Sequence, residues 1–186
     1  MARPRSVSDD HILDATLQLL LRQGSASLTL AAVGKAAGLA AATLVQRFAS
    51  RDALIRAALE RAWDGLDAAT ADADAREAED FDGALAVLAA LSPTPAAAAD
   101  YVDGLLLLRE DLTDPVLRAR GVAWLETLAL ALGRRLTADP QARRPLGRLM
   151  VCQWQGAQIW WAFGRRGDPV EFITAQLRQW HAALRI

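Results

Sequence analysis

The segment from Leu28 to Leu39 constrains the fold of this chain more than any other part of the sequence. Its residues are LTLAAVGKAAGL, in which Thr29 can cap a short helix and Gly38 can end it. Small side chains allow two helices to cross closely, and Leu39 can pack beneath a sharp turn at the glycine. The segment therefore predicts a short helix, a turn and a second helix, which is the arrangement of a helix-turn-helix.

The remainder of the chain also predicts helices. Hydrophobic residues make up 53% of the sequence, and many are Ala or Leu, which favour helices. Residues that favour strands are scarce, since Val and Ile are few and there is a single Tyr. We expect an all-α fold with an N-terminal three-helix helix-turn-helix head, residues 1–56, followed by a helical bundle, residues 57–186. Apolar spacing and capping residues predict about nine helices, over residues 9–22, 30–38, 40–48, 50 to the seventies, 81–91, 96–110, 115–136, 140–166 and 169–183.

Charge is distributed unevenly along the chain. Residues 1–56 carry seven basic and four acidic side chains, residues 57–114 carry three and fourteen, and residues 115–186 carry eleven and four. A DNA-binding region needs positive charge to displace the counterions of the phosphates. The basic head suits that role and the acidic stretch is better placed in the body, although the acidic run is equally typical of a solvated helix face.

Several protein classes are disfavoured by the sequence. The single cysteine, Cys152, excludes an internal disulfide and suits a reducing cytoplasm; because its neighbours are apolar, we expect a buried and inert thiol. No apolar run is long enough to cross a bilayer, and the N-terminus does not resemble a signal peptide. We therefore expect a cytoplasmic protein without a membrane partner.

Catalytic and metal-binding patterns are equally lacking in the sequence. The two histidines, His11 and His181, have no neighbouring ligands at metal-binding spacing. No phosphate-binding loop, nucleophile elbow or Ser-His-Asp order is present. We expect neither enzyme activity nor a cofactor.

An ordered set of residues between positions 11 and 56 indicates a family. Its members are His11-Ile12-Leu13-Asp14-Ala15, Gly24, Leu28-Thr29, Val33, Ala36-Ala37-Gly38-Leu39, Thr43-Leu44, Phe48 and Ser50-Arg51-Asp52-Ala53-Leu54. With this set the segment resembles the DNA-binding head of TetR-family transcriptional regulators. The resemblance implies nine or ten helices, a homodimer and a ligand-binding body.

The resemblance also implies roles for individual residues of the head. Thr29 and Arg51 would contact phosphates, Thr43 and Gln46 would lie near base edges, and Arg47 would reach a base or a phosphate. Of these residues, Thr43, Gln46 and Arg47 belong to the recognition helix, which would lie in the major groove of double-stranded DNA.

Three more residues of the head are predicted to contact DNA, and other positions depart from the family pattern. Arg3 and Arg5 would form an arm that reaches phosphates or the minor groove, and Ala41 would contact a thymine methyl group. Val45 replaces the usual aromatic residue, Ala40-Ala41-Ala42 replaces a more polar start of the recognition helix, and Gly34 stands where a helical alanine is usual. The recognition surface is therefore poor in hydrogen-bond donors.

The body is rich in tryptophan, which suggests a binding pocket. Trp154, Gln158 and Trp161 are four and three residues apart and share one helix face, which combines aromatic rings with one polar anchor. For any single one of these residues, packing in the core is the favoured alternative to ligand contact. The full set of ligand-binding candidates is Tyr101, Leu105, Trp124, Leu128, Trp154, Gln158 and Trp161.

A second face of the same helix is predicted to form a dimer interface. Its small residues allow close helix approach, and the family resemblance implies a four-helix interface built from the last two helices of each subunit. The candidate interface residues are Gln153, Gly156, Trp160, Gly164, Phe172 and Gln179.

Together these predictions describe a ligand-responsive DNA-binding regulator of transcription. We expect a homodimeric repressor that leaves an inverted-repeat operator when a small apolar or aromatic molecule binds the body. Two alternatives remain: a helical small-molecule-binding protein or enzyme without DNA-binding activity, and a helical interaction module. Both alternatives predict no salt-sensitive binding to duplex DNA.

Overall fold

The computed structural model describes residues 7–92 and 107–184, and these residues form helices without any strand. The prediction of an all-α fold is confirmed. Arg3, Arg5, Tyr101 and Leu105 lie outside the described residues, as does most of the helix predicted over 96–110. The helices are α1 (Asp9–Ser27), α2 (Leu30–Ala37), α3 (Ala41–Phe48), α4 (Arg51–Arg76), α5 (Phe81–Ala90), α6 (described over 107–113), α7 (Pro115–Leu136), α8 (Pro140–Gly164) and α9 (Pro169–Leu184).

The chain divides into two compact units. The first comprises Met1–Asp64 and Asp103–Arg118, and the second comprises Gly65–Val102 and Ala119–Ile186. Each of α4 and α7 therefore supplies residues to both units. The predicted domain boundary at residue 56 stays a prediction.

Local sequence signals define the helices of the first unit. The hydroxyls of Ser8 and Thr29 accept hydrogen bonds from backbone N–H groups of the first turns of α1 and α2, which satisfies donors that have no partner within the helix. Gly24 has a φ of 73° and interrupts the regular path of α1, which continues to Ser27 rather than ending at Gly24. The buried core beneath these helices includes Ile12, Leu20, Leu28, Val33, Leu44 and Leu54.

The turn between α2 and α3 depends on two glycines. Gly38 ends α2 in the left-handed region with a φ of 70°, which is unfavourable for residues with a side chain. A Cβ atom at Gly34 would lie 2.6 Å from the carbonyl oxygen of Leu39, and the Leu39 N–H donates to the Gly34 carbonyl at 2.7 Å. Gly34, which departs from the family pattern, is therefore required by the close approach of the backbone after the turn.

Glycines also set the packing of α7 against α8 in the second unit. A Cβ atom at Gly133 would lie 2.0 Å from the carbonyl oxygen of Arg143, and one at Gly147 would lie 1.8 Å from that of Ala129. Both distances are far below van der Waals contact, so the two backbones touch where the side chains are absent. Helix α8 continues through Pro145.

A buried arginine ties α7 to the end of α4. The side chain of Arg135 has no solvent exposure, and it forms an ion pair with Asp74. Its guanidinium also donates to the carbonyl oxygens of Asp74, Glu77 and Ala78 at 2.8 to 2.9 Å. These carbonyls lie at the C-terminus of α4, where helix carbonyls have no partner of their own. Arg135 therefore caps the helix that runs through both units.

Candidate nucleic-acid interface and effector region

Helix α3 presents a narrow polar and apolar surface to solvent. Leu44 is fully buried in the core of the first unit, whereas Val45, Gln46 and Arg47 are exposed. Ala41 and Thr43 are half-buried at the N-terminal end of the helix. The exposed face of α3 therefore carries few hydrogen-bonding groups.

Thr29, which was predicted to contact a phosphate, is the N-cap of α2. It lies exposed at the start of α2, and its hydroxyl accepts a hydrogen bond from the Ala32 N–H at 3.1 Å. The hydroxyl hydrogen is still available to a phosphate oxygen, because a hydroxyl donates one bond while it accepts another.

The guanidinium of Arg47 is held within the first unit. Its Nη1 donates to the carbonyl oxygen of Val7 at 2.6 Å, and its Nη2 forms an ion pair with Asp9. The side chain of Arg47 retains 28% of its exposure. The predicted base or phosphate contact of Arg47 would therefore compete with contacts to the start of α1.

Arg51 is likewise engaged by the protein. It donates to the carbonyl oxygen of Leu28 at 2.7 Å and to that of Ser25, and it pairs with Asp52. These bonds tie the first residue of α4 to the connection between α1 and α2. Arg47 and Arg51, which were both predicted to contact DNA, are therefore both bonded within the head.

An exposed lysine of the head was not among the residues predicted to contact DNA. Lys35 lies exposed in the last turn of α2 and, within residues 7–92 and 107–184, has no ion-pair partner. An ammonium without a carboxylate partner is available to a phosphate at no cost in broken contacts. The sequence already showed a lysine three residues before Gly38, the glycine of the helix-turn-helix.

Two of the tryptophans predicted to bind ligand are partnered in the core of the second unit. The Trp124 indole N–H donates to the Thr70 hydroxyl at 2.9 Å, and that of Trp154 donates to the Ser92 hydroxyl at the same distance. The ring centroids of Trp124 and Trp154 lie 6.3 Å apart and the rings are tilted by 50°. Both side chains are nearly fully buried and closely packed.

The other described ligand candidates are buried as well. Leu128 is fully buried, Trp161 is 5% exposed, and Gln158 is 6% exposed. The Trp161 indole N–H lies 3.4 Å from the carbonyl oxygen of Gly167, which it reaches as a long hydrogen bond. The five described candidates, which lie on α7 and α8, are thus all buried in the second unit.

The outer side of α8 carries a broad apolar surface. Trp160 is 69% exposed, and its ring packs against that of Phe163, which is 79% exposed. Ile159 and Leu149 are also exposed, and Cys152 lies on the same helix in contact with solvent. The expectation that Cys152 is buried is therefore wrong for the single chain, because the thiol lies on the outer face of α8.

The predicted interface residues largely share this exposure. Gly164 and Gln179 are exposed, and Gln153, Gly156 and Phe172 are half-buried. A Cβ atom at Gly156 would meet nothing within 4 Å. Sequence reasoning missed Leu149, Ile159 and Phe163, although Leu149 is four residues from Gln153, Ile159 is three from Gly156 and Phe163 is three from Trp160.

A cleft in the first unit was not predicted. It has a volume of about 290 Å³, an apolar floor and a charged rim, and it lies where the C-terminal end of α1, the start of α4 and the α6–α7 turn meet. The rim groups are paired with one another: Ser25 donates to Glu110 at 2.7 Å, and Arg56 pairs with Asp114 at 2.6 Å. The lining residues are Ser25, Ala26, Arg51, Asp52, Ile55, Arg56, Leu59, Arg109, Glu110, Asp114 and Leu117.

Metal-ligand clusters and membrane-spanning helices are both absent from the described part of the chain. Residues 7–92 and 107–184 contain no group of three or more His, Cys, Asp or Glu side chains placed to hold a metal ion. Within the same residues, none of the helices has the length and apolar character needed to span a membrane.

Comparison with protein families gives one match. Residues 12–58 match the family described as bacterial regulatory proteins, tetR family. The match covers α2, α3 and the start of α4, together with most of α1. No curated protein sequence matches the chain.

Solved structures share the fold over nearly the whole chain. A TetR-like transcriptional regulator from Rhodococcus sp. RHA1 is 15% identical, covers 97% of this chain and 99% of its own, and has a TM-score of 0.71. A protein from Saccharomonospora viridis in complex with choline is 19% identical over 92% and 93% of the two chains, with a TM-score of 0.74. The multidrug binding protein EbrR, complexed with malachite green, is 21% identical over 95% and 98%, with a TM-score of 0.70.

Proposed function

We propose that this chain, whose residues 12–58 match the tetR family of bacterial regulatory proteins, is a ligand-responsive repressor that binds an inverted-repeat operator as a homodimer. The observation that carries the proposal is the head itself. Residues 12–58 match the family, and within them the turn at Gly38 leaves the outer face of α3 exposed. That geometry suits a helix that enters the major groove.

The DNA contacts that we propose follow from exposure and charge. Gln46, with Ala41 and Thr43 at the other end of α3, faces the base edges, where a glutamine can bond adenine and an alanine can contact a thymine methyl. Thr29 and Lys35 contact phosphates. Because few of these groups donate hydrogen bonds, we expect a large share of the affinity to depend on phosphate contacts and on salt.

Dimerisation through α8 and α9 is supported by the apolar outer face of α8. Burying a large apolar side chain contributes about 1.5–3 kcal/mol, so exposed Trp160 and Phe163 favour association. Gly156 adds a position at which a second helix can approach closely. An apolar surface of this kind is typical of an obligate interface.

The interface can be tested by charge introduction. The double variant W160E/F163E should raise the dimer dissociation constant at least about 100-fold, because each subunit loses two buried aromatic rings. The matched control is V122E, since Val122 is 58% exposed on α7 but lies outside the candidate interface. Sedimentation equilibrium distinguishes the states, and a double variant that stays as dimeric as the control contradicts the assignment.

The effector that we propose is a small apolar or aromatic molecule held by the tryptophan-rich side of α8. Support comes from the gathering of Trp124, Leu128, Trp154, Gln158 and Trp161 in one unit, and the amide of Gln158 provides a polar anchor there. Two proteins of the same fold were solved with choline and with malachite green. A ligand that favours one arrangement of the body can act on the head because α4 supplies residues to both units.

The decisive experiment is selection of duplexes from a random-sequence pool by the full chain. We expect an inverted repeat to be enriched and its affinity to fall steeply as salt rises. K35A combined with Q46A should weaken binding at least about tenfold, whereas R76A, at an exposed arginine of α4, should not. A stable dimer that enriches no duplex would refute the repressor proposal and favour the alternative of a small-molecule-binding protein.

A further inference from the structure

The cleft of the first unit combines an apolar floor with a charged rim. The floor is formed by Ile55, Leu59 and Leu117, which are 6%, 3% and 1% exposed and belong to the core of the unit. The volume of about 290 Å³ is close to the lower end of the range of about 300–1,000 Å³ that is usual for small-molecule sites. The cleft can therefore hold the apolar part of a small molecule, with a polar group of that molecule at the rim.

The acid Asp114, at one edge of the rim, is fully committed within the unit. Its Oδ1 accepts hydrogen bonds from the Val116 and Leu117 N–H groups at 2.8 and 3.4 Å, and so caps the first turn of α7. Its Oδ2 is contacted by Nε and Nη2 of Arg56, both at 2.6 Å. A cationic ligand would have to displace these bonds before it could pair with Asp114.

The guanidiniums of the rim, by contrast, keep unused donors. The side chain of Arg109 is 78% exposed, and among the described residues its one ion-pair contact is with Glu110, at 3.3 Å. Both contacts of Arg56 are with the same oxygen of Asp114, so its Nη1 donates to none of the described residues. A guanidinium has five N–H donors in a planar fork that matches a carboxylate. Although the cleft is lined by as many acids as arginines, it is therefore better equipped to bind an added anion than an added cation.

The starts of two helices also border the cleft. Arg51 and Asp52 are the first residues of α4, and Asp114 directly precedes α7. Helix N-termini carry partial positive charge, which favours an anion. The C-terminal end of α1 lies at the cleft as well, but the carbonyl oxygen of Ser25 accepts a hydrogen bond from Arg51, which compensates its partial negative charge.

We propose that this cleft is a ligand site for a small amphipathic carboxylate, whose carboxylate binds Arg109 and Arg56 and whose tail lies on the apolar floor. Arg109 can turn toward such a ligand at little cost, because exposed ion pairs contribute little to stability. The inference goes beyond the proposed function. The cleft lies in the first unit, whereas the proposed effector region around the tryptophans lies in the second.

Titration of the full chain with hexanoate, followed by NMR of the isoleucine δ1-methyl groups, tests the site directly. The chain has five isoleucines, of which Ile55 lies on the floor of the cleft and Ile173 lies in the second unit. Hexanoate should shift the Ile55 signal saturably and leave the Ile173 signal in place. Acetate, which lacks the tail, should bind at least about tenfold more weakly, because each buried methylene adds to the affinity.

The charge preference is tested with hexylamine and 1-hexanol, which keep the tail and change the polar group. Both should have dissociation constants at least about fivefold higher than that of hexanoate. R109A should raise the dissociation constant of hexanoate at least about fivefold. The matched control is R22A, at an exposed arginine of α1 that does not line the cleft, and it should leave hexanoate binding unchanged.

Hexylamine that binds as tightly as hexanoate would overturn the proposed ligand class, and equal hexanoate affinities of R109A and R22A would overturn the role of Arg109. A shift of the Ile173 signal without one of Ile55, or a shift of Ile55 that never saturates, would overturn the site itself. None of these measurements involves DNA. Their failure therefore leaves the proposed repressor function standing, and failure of the duplex selection leaves this site standing.

Discussion

Replacing Arg135 by alanine should destabilise the second unit more than any other single change of a charged residue considered in this protein. Its guanidinium has five N–H donors. The bonds they make are with the Asp74 carboxylate and with the carbonyl oxygens of Ala131, Asp74, Glu77 and Ala78. The donors of a fully buried cation are thus all satisfied, which is the condition under which a buried arginine is tolerated.

The magnitude follows from what the substitution leaves behind. Removing one partner of a buried ion pair costs about 3–5 kcal/mol, because the other partner remains without compensation. Asp74 keeps Arg134, whose Nη2 donates to it at 2.8 and 2.9 Å, and this reduces the electrostatic part of the loss. The carbonyls at the end of α4 lose their donors outright. We therefore expect R135A to lower the free energy of unfolding by about 3–4 kcal/mol.

The matched control is R134A, which removes the neighbouring arginine of the same carboxylate. The side chain of Arg134 is 37% exposed, and Asp74 would keep its bond to buried Arg135. An ion pair of this exposure contributes about 0.5–1 kcal/mol. R135K should lie between the two variants, because an ammonium keeps the charge but has three donors in place of five.

The assay is urea unfolding monitored by tryptophan fluorescence at one fixed protein concentration, since dimerisation would otherwise shift the apparent stability. The difference between R135A and R134A is the decisive quantity. Equal losses for the two variants, or a loss below about 1.5 kcal/mol for R135A, would refute the reasoning that these carbonyls and the half-buried carboxylate of Asp74 need this guanidinium.

Three further outcomes are expected. G34A should destabilise the head by about 1–3 kcal/mol, because its Cβ would lie 2.6 Å from a backbone oxygen. G65A, where a Cβ meets open space, should instead stabilise the protein by about 0.5–1 kcal/mol. Thermal unfolding monitored by circular dichroism compares the two variants. G147A should weaken the packing of α7 on α8 by a similar amount, and an unchanged midpoint in urea would contradict the 1.8 Å contact. Burial raises the pKa of Asp111, against the lowering effect of the Trp63 hydrogen bond, so the folded state favours the neutral acid. The free energy of unfolding of the wild type should therefore fall relative to that of D111N as pH rises from the ordinary carboxyl pKa of about 3.9 through the raised pKa. If unfolding experiments across that pH range give a constant difference between the two proteins, the pKa of Asp111 is not raised.

Asp74 should affect the pH dependence of stability in the opposite direction from Asp111. Burial would raise the pKa of Asp74, but hydrogen bonds from Arg135 and Arg134 outweigh it and hold the pKa below its ordinary value. The stability that Asp74 contributes is fully present above its pKa in the unfolded state and is lost as pH falls through its lowered pKa in the folded state. The two carboxylates therefore act on stability in opposite directions within the acid range.

Local sequence was sufficient to predict the helical architecture of the head. Thr29 and Gly38 act through their own backbone and nearest turns, so capping chemistry and a positive φ can be inferred without knowledge of the rest of the chain. The period of the apolar residues likewise places Leu44 inside and Gln46 outside, because helix geometry alone relates their directions. For the same reason the family could be recognised from an ordered set of residues in one segment.

Tertiary structure decided the state of each functional side chain. Arg47 is bonded to Asp9, and Trp154 to Ser92, through contacts between residues distant in sequence that no periodicity encodes. The exposure of Cys152 also depended on tertiary packing, since α8 has apolar residues on both its inner and outer faces and sequence alone does not say which face is covered. The sequence by itself determined which segments are helices and where the head turns. Only the fold decided which charges are free and which apolar face remains open, because both depend on what packs against a helix rather than on the helix itself.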